Sequence, residues 1–121
     1  MALKWRMLPE IRSTSPDGRF QVRVSPWEAA ASRWVESPEI WDTVADALVL
    51  RFSDDKWSLD HCHWQNNNLA QLTLRKFPGN HMPTQLLVLV DCVSQLAALP
   101  LQGQLPFPQL EAALDGFLHW S

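Results

Sequence analysis

Residues 57–76 read WSLDHCHWQNNNLAQLTLRK, and they carry the pattern of a β-hairpin. Apolar and polar side chains alternate over Trp57–Trp64, which is typical of a strand with one buried face. Residues 65–68 contain three asparagines, which tolerate positive φ and favour a turn. Alternation resumes over Leu69–Lys76, with leucines on one face and glutamine, threonine and arginine on the other. This part of the chain therefore predicts an antiparallel pair of strands.

Similar alternation lies upstream of this hairpin. Residues 15–18 read SPDG, with proline at the second and glycine at the fourth position of a turn. Residues 20–24 follow and alternate without exception between apolar and polar side chains, so they predict a strand. Residues 48–52 predict another strand, in which Leu48, Leu50 and Phe52 alternate with Val49 and Arg51, and residues 3–8 predict a half-buried edge strand that Pro9 interrupts.

Residues 25–42 are less regular. Pro26 and a run of three alanines fit either one helical turn or a wide loop over residues 25–33. Residues 34–42 look extended, and Pro38 within them favours a strand close to a sheet edge, where proline is tolerated.

The segment after residue 76 begins with a turn signal at residues 77–80, which read FPGN. Residues 86–92 are apolar on both faces and predict a central strand covered on both sides. Residues 95–99 predict a short final strand.

The C-terminal segment changes period. Apolar side chains recur there at spacings of three and four, which indicates a helix with one buried stripe. Pro108 suits its first turn, and Gly116 weakens it by about 1 kcal/mol relative to alanine. We expect this helix to pack on the strand at residues 86–90. The fold class predicted is α+β, an antiparallel β-meander sheet of six to eight strands with a C-terminal helix packed on one face. The helical stripe consists of Leu110, Ala113, Leu114, Phe117 and Leu118.

Length and composition limit the classes of protein to which the chain can belong. Its 121 residues and 13.9 kDa correspond to a single domain over residues 1–121, large enough to bury a core without a disulfide or metal. A hydrophobic fraction of 46% indicates a globular chain. The net charge of −3 gives no basic excess for a nucleic-acid backbone, and no run of about 18 apolar residues could span a membrane. We expect neither nucleic acid nor membrane among its partners.

Compartment and redox state are inferred from the N-terminus and the cysteines. The first residues, MALKWRMLP, lack the apolar segment of an export signal, so a cytoplasmic location is expected. Cys62 and Cys92 are then expected to be reduced thiols, although their spacing also permits a disulfide.

Charge is distributed unevenly along the chain. Residues 34–60 contain seven acidic and two basic residues, a net charge of −5, whereas residues 1–33 carry six basic and three acidic residues, a net charge of +3. Three of the seven tryptophans fall in the acidic block. The block is either a solvated face or an acidic surface, with tryptophan anchors, that meets a basic partner. The candidate partner-binding residues are Trp34, Trp41, Asp42, Asp46, Asp54, Asp55 and Trp57.

The segment Asp60, His61, Cys62, His63 is the one tetrapeptide that suggests chemistry. On a strand the two histidines share a face and Cys62 points away, so that face offers two ligands, and a closed zinc site would need His81 and a further group from elsewhere in the chain. For the same reason Cys62 forms no nucleophile–base pair with its neighbours. The four glycines are scattered and form no phosphate loop. We predict no catalytic residue, no metal and no cofactor, and we rank a small metal- or thiol-dependent enzyme as the third hypothesis.

The chain shows two resemblances to known proteins. The turn at residues 15–18 with the strands at 20–24, 48–52 and 57–64 resembles one propeller blade, but 121 residues cannot close a ring of four blades, so we interpret it as a meander. A small, acidic, tryptophan-rich chain without a catalytic motif resembles the immunity proteins of bacterial polymorphic toxin systems, of the contact-dependent inhibition or type VI effector type. That resemblance implies a cytosolic inhibitor that occludes a cognate, basic toxin domain. The alternative is an adaptor or chaperone-like protein-binding module without a toxin.

Overall fold

The computed structural model describes residues 8–100 and 102–121, and these contain eleven strands and one helix. The strand predicted at residues 3–8 lies outside the described residues except for Leu8, which precedes the first strand. The elements are β1 (Glu10–Thr14), β2 (Phe20–Ala30), β3 (Arg33–Asp42), β4 (Ala47–Arg51), β5 (Trp57–Trp64), β6 (Leu69–Lys76), β7 (His81–Met82), β8 (Leu86–Asp91), β9 (Leu96–Leu99), β10 (Gly103–Pro106), α1 (Phe107–Phe117) and β11 (His119–Trp120).

The strands form two antiparallel sheets and a short ribbon. The first sheet has the order β1-β2-β3-β4, the second has the order β10-β9-β8-β6-β5, and β11 pairs with β7. A mostly antiparallel fold with one C-terminal helix is therefore confirmed. The prediction of a single sheet of six to eight strands is wrong, because β5 pairs with β6 and not with β4, and so begins the edge of a second sheet.

One hydrophobic core joins both sheets and the helix. The side chains that alternate inward from β2 and β6 meet those of β8 and β9, and Leu110 and Leu114 of α1 are fully buried among them. Trp64 at the end of β5 stacks on Phe20 of β2, with the ring centroids 6.4 Å apart, so the two sheets also touch through aromatic rings. The apolar residues that alternate in the sequence therefore form the strand faces that pack in the core.

Strands β2 and β3 form a long hairpin that includes residues 25–33, where the sequence predicted a helical turn or a wide loop. That prediction is wrong because the buried face of the hairpin changes part-way along it. Up to Pro26 the even-numbered residues of β2 are buried, whereas beyond it Trp27 and its cross-strand partner Val35 are buried. The Trp27 indole N–H lies 3.0 Å from both Ser37 Oγ and the carbonyl oxygen of Asp55, so this half of the hairpin crosses the start of β5.

Pro38 does not lie on an edge strand, since β3 is bordered by β2 and β4. It is nevertheless tolerated, because β4 pairs with β3 only from Glu39 onward and Pro38 meets no β4 residue.

Strand β8 lies inside the second sheet, between β6 and β9, but only one of its faces is buried. Leu86 and Val88 belong to the core, whereas Leu87 is 47% exposed, so the prediction of a strand covered on both sides is wrong. The helix enters the core beside β9 and β10 and does not cover the outer face of β8. The prediction that β9 is the final strand is also wrong, since β10 and β11 follow it. None of the described helices is long and apolar enough to cross a membrane.

Candidate partner-binding site

An open cleft of about 530 Å³ lies where β3, β4 and the turn at residues 53–56 meet. Three carboxylates line it, from Glu39 on β3 and from Asp54 and Asp55 in the turn. Of the described residues, Arg51 is the basic side chain that lines the cleft, and Phe52 contributes an aromatic wall. We call this feature the acidic cleft. Its remaining lining residues are Ser25, Ser37, Pro38, Ser53 and Trp57.

The turn that carries two of these carboxylates is fastened to the helix. Glu111 of α1 accepts hydrogen bonds from the backbone N–H of Ser53 (2.7 Å), from the Ser53 hydroxyl (2.9 Å) and from the backbone N–H of Asp54 (2.9 Å). Because both carboxylate oxygens are engaged, the position of the turn depends on the docking of α1.

Lys76 forms a second tie between the turn and the helix. Its ammonium lies 3.1 Å from Asp54 Oδ2 and 2.7 Å from Asp115 Oδ1, and its side chain is only 13% exposed. Partial burial opposes ionisation of Asp54, but the Lys56 N–H and the Lys76 ammonium outweigh it and lower the pKa of Asp54. Burial alone would lower the pKa of Lys76. The carboxylates of Asp115 and Asp54 raise it by more, so the pKa of Lys76 is raised overall. The charge of Asp54 is thus partly neutralised within the molecule.

Glu39 differs from Asp54 in that its hydrogen bond comes from a neutral group. Its Oε1 accepts a hydrogen bond from the indole N–H of Trp41 (3.0 Å), which is a neutral donor. Across residues 8–100 and 102–121 no cation lies within ion-pair distance of Glu39. Trp41 is half-buried and does not line the cleft, but it holds Glu39 in place. The Arg23 guanidinium lies over the Trp41 ring, 5.2 Å from the ring centroid.

Asp42 and Asp46 were predicted as partner-binding residues, but they lie away from the cleft, at the β3–β4 turn. Asp42 is 7% exposed, pairs with Arg19 (3.0 Å), and accepts hydrogen bonds from the backbone N–H groups of Val44 and Ala45. The Arg19 bond and these N–H groups lower the pKa of Asp42, which therefore closes a turn and is not available to a partner. Asp46 is exposed in that turn, at the end of β4 opposite to Arg51, and does not line the cleft.

The predicted tryptophan anchors also separate. Trp57 is fully buried, packs against Phe52 with the ring centroids 5.8 Å apart, and lies under the cleft as part of the core. Because its side chain is fully buried, Trp57 presents no surface to a partner in this structure. Its indole N–H has no hydrogen-bond partner among the described residues. Trp34 is 46% exposed but lines a different groove, near the tip of the β2–β3 hairpin.

Glu39 and Glu111 are among the residues of the site that were not singled out from the sequence. Glu39 is two positions from Trp41 on one strand, so their shared face was a usable local signal. Glu111 had no such signal, because its donors lie 57 and 58 residues away in the chain.

The cysteines and histidines are placed apart from the cleft. Both thiols are free: burial raises the pKa of Cys92 to about 12, and burial also raises the pKa of Cys62. His61 and His63 are exposed on β5. His81 is buried, its Nε2 accepting from the Lys76 N–H (3.1 Å) and its Nδ1 donating to the Pro83 carbonyl (2.7 Å), so neither nitrogen is free for a metal.

The metal-ligating side chains do not converge in the part of the chain that the structure describes, where no group of three or more His, Cys, Asp or Glu could hold an ion. The acidic cleft is therefore the feature whose chemistry points most directly to a ligand, namely a cationic one. The chain matches no protein-family model, no curated protein and no solved structure.

Proposed function

We propose that this chain is a protein-binding inhibitor that receives a basic surface of its partner in the acidic cleft and neutralises that partner by occlusion. The single observation that carries the proposal is the cleft itself, about 530 Å³ in volume, with Glu39, Asp54 and Asp55 in its wall. Opposite charge across an interface speeds encounter and selects the partner. The volume is sufficient for one or two lysine or arginine side chains.

Binding is favoured over thiol chemistry by the state of the two cysteines. Reactive cysteines have a lowered pKa, because the thiolate is the nucleophile. The pKa of Cys92 is about 12 and that of Cys62 is raised, so both side chains are neutral thiols near pH 7.

We further propose that the partner is a basic toxin domain and that the chain is its immunity protein, acting in the cytoplasm of a bacterium. The support for this step is the resemblance in size, acidity, tryptophan content and lack of catalytic motifs, together with the charge of the cleft. The alternative is an adaptor without a toxin. One observation favours that alternative, an apolar groove of about 260 Å³ along Leu86, Leu87, Leu99 and Phe117, which would take an apolar segment of a partner.

The test is reconstitution with the product of the neighbouring toxin gene. The purified chain should form a stoichiometric complex and abolish the toxin's activity. Glu39→Gln and Asp55→Asn should each weaken binding severalfold, because each removes one charge from the cleft wall. Asp46→Asn is the matched control, since it removes the same charge at the other end of β4 and asparagine tolerates the positive φ of that position, 51°.

Three results would contradict the proposal or part of it. Equal affinity for the wild type and both cleft variants would place the interface elsewhere. An equal loss in Asp46→Asn would mean that net charge acts, not the cleft. A complex in which the toxin remains active would favour the adaptor over the inhibitor.

A further inference from the structure

A second groove, of opposite charge, lies between the tip of the β2–β3 hairpin and the turn at residues 77–80. Its volume is about 250 Å³, and it is separated from the acidic cleft by the crossing of β3 over β5, where the Glu36 N–H donates to Ser58 Oγ (3.0 Å). We call it the basic groove. It is lined by Arg33, Trp34, Arg75, Lys76, Phe77 and Pro78, with small side chains between them.

Arg33 supplies an uncompensated charge to the basic groove. Its Nη2 donates to the Pro78 carbonyl oxygen (2.6 Å), and its guanidinium lies over the Phe77 ring, 4.9 Å from the centroid. Within the described residues it has no carboxylate within ion-pair distance. The guanidinium is therefore held in place by neutral groups, and its remaining N–H donors are available.

Arg75 supplies a second guanidinium. Its Nε pairs with Asp60 Oδ1 (2.9 Å), while the side chain as a whole is 55% exposed. Asp60 is itself fixed by a hydrogen bond from the Gln85 amide (2.8 Å). Since one edge of the guanidinium is used by Asp60, the terminal nitrogens remain for a ligand. Lys76 contributes no free charge, because its ammonium is taken by Asp54 and Asp115.

Trp34 completes the basic groove with an apolar surface. It is 46% exposed while forming part of the groove wall, beside Arg33 in the chain. Tryptophan and arginine are the side chains most enriched at binding hot spots between proteins, because they bury a large area and donate directional hydrogen bonds. A groove of this composition is suited to an acidic side chain followed by an apolar or aromatic one.

We propose that the basic groove binds a carboxylate of a protein partner, seated between Arg33 and Arg75, with the adjoining residue of that partner against Trp34. Asp60 pairs with Arg75, and Asp54 and Asp115 pair with Lys76, so among the described residues Arg33 is the basic lining residue that has no carboxylate at ion-pair distance, which suits a singly charged carboxylate better than a phosphate dianion. Guanidinium groups bind carboxylates through paired, charge-assisted hydrogen bonds. The inference rests on the proposed function only in taking the ligand to be part of a protein.

The test uses the full chain and synthetic peptides. A ten-residue peptide of alternating Asp and Trp is titrated into the ¹⁵N-labelled chain, and the indole N–H signals are followed, with Trp34→Phe identifying the signal of Trp34. A second peptide with Asn in place of Asp serves as the uncharged counterpart, and inorganic phosphate is titrated separately. The Trp34 signal should shift saturably with the acidic peptide alone.

Variants separate the groove from general charge. Arg33→Gln should weaken binding of the acidic peptide roughly tenfold, because one charge-assisted pair is lost. Arg33→Lys keeps the charge but loses the planar fork and should weaken it less. Lys56→Gln is the matched control, because it removes one exposed positive charge outside the groove and should bind the peptide as the wild type does.

The proposal is overturned if the Trp34 signal does not respond, if Arg33→Gln binds as the wild type, or if the Asn peptide binds equally well. Binding of phosphate without binding of the acidic peptide also overturns it, and would assign the groove to phosphate. These outcomes are independent of the acidic cleft, whose own variants are tested against a basic partner.

Discussion

Trp57 was predicted from the sequence to bind a partner, but the structure places it in the core. It lies in the acidic block of the sequence, yet it is fully buried against Phe52 and its indole N–H is unpaired. We predict that Trp57→Ala lowers the free energy of unfolding by roughly 3–5 kcal/mol, since it leaves a large cavity. Trp57→Phe should cost clearly less, because it also removes the unsatisfied donor.

Urea denaturation monitored by circular dichroism measures both changes. A loss below about 0.5 kcal/mol for Trp57→Ala would show that the side chain does not pack as described.

Cys92 predicts a specific dependence of stability on alkaline pH. Burial, aided by the charge of Asp91, raises its pKa from 9.0 to about 12. The unfolded thiol ionises near pH 9 while the folded one remains protonated, so unfolding is favoured as the pH rises. The contribution of Cys92 is therefore complete below about pH 9 and is lost between pH 9 and 12. The chain contains no tyrosine, so no phenol titrates in this range.

The measurement is the urea midpoint at pH 8, 9 and 10 for the wild type, Cys92→Ala and Cys62→Ala. The fall in stability above pH 9 should be shallower in Cys92→Ala than in Cys62→Ala, since Cys92 is buried and Cys62 only half-buried. Equal slopes in all three proteins would contradict the assignment.

The sequence alone did not show which acidic side chains form ion pairs within the fold. Asp42 is bound by Arg19, which lies 23 residues earlier in the chain. Asp54, in the turn between the two sheets, is bound by Lys76 of β6 in the second sheet. Neither pairing has a local pattern, because both depend on which strands become neighbours. The sequence therefore identified an acidic block but not the division of that block into structural and exposed members.

At the scale of elements, local alternation was a sufficient guide only where one face stays buried along the whole strand. Strands β5 and β6 begin and end at the predicted residues, and α1 carries Pro108 in its first turn as predicted. In β2 and β3 the buried face changes near Pro26, which breaks the period of two and conceals the strands. In β8 the difficulty is the opposite one, because Leu87 is apolar and was expected to be buried, yet its side chain is exposed.

The link between α1 and the turn at residues 53–56 gives a prediction at this scale. Glu111→Ala removes the acceptor of three hydrogen bonds from Ser53 and Asp54, at an exposed site where water replaces them in part. We expect a loss of roughly 1–2 kcal/mol in stability. Because Asp55 lies in the same turn, affinity for a basic partner should also fall.

Thermal denaturation and amide hydrogen exchange at Ser53 and Asp54 provide the readout. Glu111→Gln should be intermediate, as it keeps an acceptor oxygen without the charge. Gln109→Ala, an exposed change in the first turn of α1, should be close to neutral. Unchanged exchange at the turn in Glu111→Ala would show that the helix does not fasten it.

At the scale of the whole molecule, the two-sheet architecture divides the charge that the sequence places in one block. Within residues 8–100 and 102–121, ion pairs join Glu36 to Arg12, Asp42 to Arg19, Asp54 to Lys76 and Asp60 to Arg75, so much of the acidic block is engaged within the fold. The crossing of β3 over β5 then places the acidic cleft beside the basic groove. This division could not be predicted, because it requires knowing that β5 begins a new sheet.

The division yields a prediction about association kinetics with a basic partner. Exposed charges govern the rate of encounter, and salt screens them over about 8 Å at 0.15 M. The double variant Glu39→Gln, Asp55→Asn should therefore associate more slowly than the wild type at low salt, and its rate should depend less on salt. Asp42→Asn should leave the association rate unchanged and reduce stability instead, because Asp42 is paired with Arg19 inside a turn.

Stopped-flow association at 0.02 M and 0.2 M salt measures this. We expect the two wild-type rates to differ by about tenfold or more, as electrostatic steering requires, and the difference to shrink in the double variant. Trp41→Phe supplies a separate reading of the dissociation rate: it removes the indole donor that holds Glu39, so the complex should dissociate faster while its encounter rate stays high. If the double variant associates at the wild-type rate at both salt concentrations, the cleft does not steer the partner and its acids are a solvated face.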